Sequence, residues 1–271
     1  MKRKVQPTLL VGIGIIGIIV LLALLAPWIA PNDPYEVNLS GKLQSFSWQY
    51  PLGTDQLGRC VCSRLLYGAR LSLGAAAAAL AATFFLGSVM GFISGFAGEL
   101  ADRIVMWLCD VVLSFPGTLL ALVIVGYFGA GMGNLILSIA AISWAGYAVN
   151  IRSMVRTQRN ADYVRLAVVG GCGRLRIAVV HVLPNVLMPA LTLSVSGVSS
   201  MIMRVAALSF IGLGARLPKA EWGLMVSSSR EVLYTDPGLL LTSIGAIFLT
   251  AFGLNLIGDA LRDRFDSHAD S

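Results

Sequence analysis

Long apolar runs separated by short polar or glycine-containing stretches make up most of the chain. A helix needs about 20 mainly apolar residues to cross about 30 Å of hydrocarbon. Six stretches meet that condition: Leu9–Ala30, Leu71–Phe96, Ile104–Gly126, Asn134–Ile151, Val186–Leu213 and Gly238–Ile257. The third is the least regular, because it contains Asp110 and Pro116. The pattern therefore predicts an all-α integral membrane protein of about six spanning helices.

The polar segments between the runs test this topology. Lys2, Arg3 and Lys4 precede the first run and place the N-terminus in the cytoplasm, since basic residues accumulate on that side. Six crossings return the C-terminus, with Arg262 and Arg264, to the same side. The loop between the fourth and fifth runs also falls inside. It carries Arg152, Arg156, Arg159, Arg165, Arg174 and Arg176 against Asp162 alone. The uncharged loop Tyr127–Gly133 falls outside, as does the longer segment Ala215–Pro237. The chain divides into a stub and first helix (1–30), an extracytoplasmic segment (31–70), a core (71–262) with a cytoplasmic loop (152–185), and a tail (263–271). The first run resembles a signal peptide, but its length and the absence of a small-x-small site before Pro27 predict an uncleaved helix.

Composition agrees. Of 271 residues, 56% are hydrophobic and 13% charged, where a soluble domain carries about 25% charged. The net charge of +6 sits between apolar runs, which fits the positive-inside bias rather than nucleic-acid binding. The five tryptophans fit an aromatic belt at the two interfaces.

Catalytic signatures are missing. Of the four lysines only Lys42 follows a glycine, and Leu43 follows it, so no G-x-x-x-x-G-K-[ST] phosphate loop exists. Two histidines, His181 and His268, make no metal motif, and no G-x-S-x-G elbow appears. Cys60 and Cys62 lie on the outer side without zinc spacing. Asp110 and Arg204 fall inside membrane runs, where ionisable residues are costly. They line a path, pair across it, or form a purely structural pair.

The cytoplasmic loop holds the remaining signal. Tyr163, Ala167 and Gly171 recur every four residues and so share a helical face. Asp162 is suited to cap the helix and Gly170-Gly171 to end it. Such a helix either docks a partner or lies against anionic lipid.

Here Tyr163-Val164-Arg165-Leu166-Ala167, Gly171, Arg176-Ile177 and His181-Val182-Leu183-Pro184-Asn185 resemble the EAA loop of ABC importer permeases. Further stretches resemble the second-subunit, C-type branch of the dipeptide, oligopeptide and nickel permease family. They are Leu52-Gly53-Thr54-Asp55, Gly58-Arg59, Ser63-Arg64-Leu65, Ser209–Gly214, Glu221-Trp222-Gly223 and Gly258-Asp259. The chain departs at Arg165-Leu166, where the family's Glu-Ala-Ala stretch begins, and at Cys60, where Asp is common.

The resemblance implies a type I importer permease of the inner membrane. It pairs with a second permease, two ATPase subunits and an extracytoplasmic solute-binding protein, and moves peptides, nickel or metal chelates inward. It implies no cofactor in this chain, with ATP and Mg bound by the ATPases. The implied coupling residues are Tyr163, Arg165, Leu166, Ala167, Gly171, His181 and Pro184. The alternatives are an ion-driven secondary transporter, which calls for paired broken helices, and a membrane enzyme, for which Asp110 alone is a candidate.

Overall fold

The computed structural model describes residues 7–269, with side chains through Asp263; Lys2, Arg3, Lys4 and the side chains of Arg264 and His268 lie outside the described residues. Five helices are long and apolar enough to span a membrane: α1 (Pro7–Ile29), α2 (Val61–Ala97), α5 (Met132–Arg159), the continuous stretch Arg174–Phe210, and α10 (Pro237–Ala269). A sixth candidate span is a bent helix pair. α3 (Glu99–Ser114) and α4 (Gly117–Phe128) meet at 92° instead of running straight through Ile104–Gly126. Pro116 has no N–H and disfavours helical backbone in the residue before it, and Phe115 is accordingly extended (φ −94°, ψ 142°).

Other boundaries also move outward from the apolar runs. α2 starts ten residues before Leu71, inside the segment 31–70 assigned to the outer surface. At about 1.5 Å per residue its 37 residues exceed the hydrocarbon thickness, so both ends project from it. α5 likewise continues past Ile151 to Arg159, carrying Arg152 and Arg156 on a rigid element. Beyond it come the short α6 (Asp162–Val169), the single turn α7 (Arg174–Arg176), a π-helical stretch Ile177–Val182 and α8 (Leu183–Phe210). Pro184 has no N–H to bond the carbonyl four residues back, and the widened π stretch lies just ahead of it.

α2 is the central helix, and α5 packs along it through a glycine stripe. A Cβ on Gly87 would lie 2.4 Å from Tyr147 Cβ, on Gly91 2.6 Å from the Ala148 carbonyl, and on Gly95 2.7 Å from Val155 Cβ. Small residues four apart let membrane helices approach to backbone contact, where dispersion rather than water exclusion holds them. α1 packs on α10 in a similar way at Gly12, whose Cβ would meet the Gly253 carbonyl at 2.9 Å, while Gly14 and Gly17 face open space.

The extracytoplasmic side is closed by a stitched cap. Asp55 pairs with Arg59 (2.7 Å) and Arg64 (3.5 Å). Arg64, 2% exposed, also donates to the carbonyls of Pro34, Pro218 and Lys219. Glu221 caps α9 (Trp222–Ser229) by accepting from the Gly223 and Leu224 N–H groups, and it accepts from the Ser72 hydroxyl. Burial pushes its carboxyl up from the ordinary range, and the Gly223 and Leu224 N–H groups with the Ser72 and Ser209 hydroxyls pull it partly back. Trp222 departs from the belt expectation: it is buried and its indole N–H donates to the Leu65 carbonyl at 3.0 Å. Trp144 also packs inward, against the cluster of Val105, Cys109, Ala145 and Ala148. Trp28, Trp48 and Trp107 are exposed.

Candidate functional site: a cytoplasmic loop and an open cavity

The cytoplasmic loop is built on an anchored base. Asp102 at the start of α3 accepts from the Ser94 hydroxyl, from both Arg152 Nε and Nη2, and from Arg156 Nη2 (2.5 Å). Arg174 donates to the carbonyls of Phe96 and Ala97, which end α2, and lies 5.8 Å from the centre of the Phe96 ring. These orphan helix-end carbonyls are thereby satisfied. Sequence reasoning counted these arginines as the topology signal. It missed Asp102, an acid lying 50 residues away whose pairing only the α3–α5 packing creates.

α6 rests on this base by one face. Val164 is buried with Ile151, Val155, Ile177, Val182 and Val186, and Ala167 is half-buried against the same cluster. The Tyr163 hydroxyl lies 2.8 Å from Gln158 Oε1 and 3.2 Å from the His181 carbonyl, and accepts from Asn185. Tyr163, the His181 backbone and the first turn of α8 are thus brought together, with Pro184 exposed beside them. Asp162 sits in the first turn of α6 and not at its cap, a place taken by Ala161 without a side-chain bond. Its ion pair with Arg165 (3.6 Å) is exposed on both sides and contributes little.

The end of α6 follows a specific chemistry. Gly171 has φ +78°, its N–H bonds the Val168 carbonyl, and the Cys172 N–H bonds the Ala167 carbonyl. This double bond pattern closes a helix through a left-handed residue, which is why glycine stands there. Leu166 and Val169 then point away from the base, and with Leu175 are 71–86% exposed. Arg165 is exposed beside them. Three bare aliphatic side chains at the tip of a cytoplasmic projection form an apolar surface of the kind that partners cover.

A second feature opens within the membrane region. The bent α3–α4 junction, α5 and α8 enclose an open cavity of about 740 Å³. Arg204 and Asp110 do not meet there. Arg204 Nη1 donates to Ser143 Oγ at 2.9 Å, while Asp110 is exposed on α3 and is not part of the cavity wall. No ion pair joins them among the described residues. Cys60 is buried where α2 begins and Cys62 is half-buried; both thiols are free.

A multi-span helical body with an anchored, arginine-rich cytoplasmic loop is the construction of a transport permease. The family of inner-membrane components of binding-protein-dependent transport systems matches residues 87–270, and the N-terminal transmembrane domain of oligopeptide transport permease C matches residues 4–45. The chain belongs to this permease family. It is 37% identical over 254 residues to the nickel transport system permease protein NikC of Escherichia coli K12, covering 94% of this chain and 92% of that protein. It is 38% identical over 263 residues to the di/tripeptide permease DppC of Pseudomonas aeruginosa, covering 94% of this chain and 86% of that one. It is 34% identical over 272 residues to the metal-staphylopine permease CntC of Staphylococcus aureus Mu50, covering 100% of this chain and 94% of that one. The protein is a multi-pass permease subunit of an ABC importer in the inner membrane.

Proposed function

We propose that this permease imports a peptide, nickel or a metal chelate and takes its energy from separate ATPase subunits through the loop 162–185. The chain has no phosphate loop of its own, so ATP and Mg bind in two partner ATPases. A second homologous permease completes the path, and an extracytoplasmic solute-binding protein delivers cargo to the outer cap.

The observation that carries this reading is the exposed tip formed by Leu166, Val169 and Leu175 on an arginine-anchored base. An ATPase groove covering that tip would move with nucleotide, and the anchored base would pass the movement to α2, α3 and α5 as a rigid-body change. Tyr163 and Gly171 hold the tip's shape, and Ala167 packs its inner side.

Co-expression with the neighbouring transporter genes and purification in detergent tests this. The intact chain is expected to bring down ATPase subunits, and Leu166→Asp is expected to lose them while the permease remains folded. ATPase capture undiminished by Leu166→Asp would sink the coupling assignment. Uptake by this chain with no ATPase present would favour the ion-gradient alternative.

A further inference from the structure

The open cavity has an uneven electrostatic character. Its wall is mostly apolar, and its polar members are Thr118, Ser143, Tyr147, Asn150, Ser196, Ser200 and Arg204. Among the described residues Arg204 is the only charged group on that wall. It stands six residues before the outer end of α8, exposed to the cavity. Its guanidinium spends one N–H on Ser143 and, among the described residues, makes no ion pair and no other hydrogen bond. A guanidinium in a membrane helix with no counter-charge among the described residues is costly, and such residues mark ligand paths. Ser143 fixes one edge of the fork and leaves the rest aimed at the opening. A planar fork of that kind binds carboxylates through paired, charge-assisted bonds. The same charge repels a free divalent cation strongly where water is scarce.

We propose that Arg204 is a specificity-determining contact, and that the cargo presents a carboxylate: a peptide with its free C-terminus or a metal already held by a carboxylate chelator. A bare divalent ion is rejected. Tyr147 and Asn150, one and two helical turns from Ser143 along α5, offer neutral hydrogen bonds to the remainder of such a cargo. This inference rests on the importer reading above and narrows its cargo.

The experiment uses the complete importer in proteoliposomes, with its binding protein in excess. The probes are labelled dialanine, ⁶³Ni²⁺ alone, and ⁶³Ni²⁺ with excess L-histidine. Failure of the unmodified chain to assemble with ATPases counts against the importer reading before any variant is compared. Given assembly, uptake is expected for a carboxylate-bearing probe and not for ⁶³Ni²⁺ alone. Arg204→Gln is expected to cut that uptake about tenfold or more, the loss of a charge-assisted bond pair, with the ATPase subunits and the second permease still assembled. Arg204→Lys keeps the charge without the fork and is expected to fall between the two. Three results would overturn the proposal. One is uptake of ⁶³Ni²⁺ alone by the unmodified importer. Another is unchanged carboxylate uptake in Arg204→Gln. The third is release of the second permease from Arg204→Gln, which would assign the guanidinium to an acid of that subunit.

Discussion

The outer cap and the cytoplasmic loop both carry family-like motifs, and the molecule treats them in opposite ways. In the cap, each charged motif residue finds its partner inside the chain. Asp55 holds Arg59 and Arg64, Arg64 ties three carbonyls together, and Glu221 caps α9 while holding Ser72. In the loop, such pairing holds the base, through Asp102 and Arg174, while the tip has only the exposed Asp162–Arg165 pair. The tip at Arg165, Leu166, Val169 and Leu175 is left in solvent. A motif whose side chains are consumed internally explains a shape. A motif whose side chains are left over explains an encounter.

That contrast breaks first in the cap. Arg64→Ala removes a nearly fully buried cation from Asp55 and three carbonyls. A loss of about 3 kcal/mol is expected, as for other buried pairs broken on one side. A large fall in the detergent melting temperature would show it; an unchanged one would mean the cap is not a stability element.

The base of the loop comes next. Asp102→Ala leaves Arg152 and Arg156 without their shared acceptor and should cost about 2 kcal/mol. Hydrogen exchange should quicken at the cytoplasmic ends of α3 and α5 while the cap stays protected. Uniform quickening would contradict a separate base.

Gly171→Ala forces a side chain into left-handed backbone at φ +78° and should cost about 1 kcal/mol. The melting shift is small, and ATPase capture should weaken more than the shift alone explains, because the tip is re-aimed. Equal losses in both readouts would remove the positioning role of the turn.

The double change Val169→Asp, Leu175→Asp should have the smallest effect on stability, within about 0.5 kcal/mol, since both side chains are exposed. It should nonetheless abolish ATPase recruitment. A melting temperature that drops as far as for Arg64→Ala would place these residues in the fold after all.

Much of this was legible in the chain. Six apolar runs are the direct consequence of needing every backbone group bonded within a helix in lipid, so hydropathy alone locates them. The arginine excess orients them, and Gly170-Gly171 marks the end of α6 because Gly171 readily takes the left-handed backbone that closes it. Tyr163, Arg165, Leu166, Ala167, Gly171, His181 and Pro184 all fall on or beside that projection.

Tertiary structure alone decided the rest. Pro116 and Phe115 could equally have kinked a continuous span; a 92° break depends on what the two arms pack against. Trp222 reads as an interfacial aromatic until α9 folds back over Leu65. Asp102 gains its meaning from two arginines that lie 50 and 54 residues further on, brought close by the packing of α3 on α5. Asp110 and Arg204 look like a pair on the basis of cost at membrane depth, yet α3 turns one outward while α8 aims the other into the cavity. Periodicity and solvent preference act on each residue singly, and so are written along the chain. Pairing across helices depends on rotation and register, which no single segment contains.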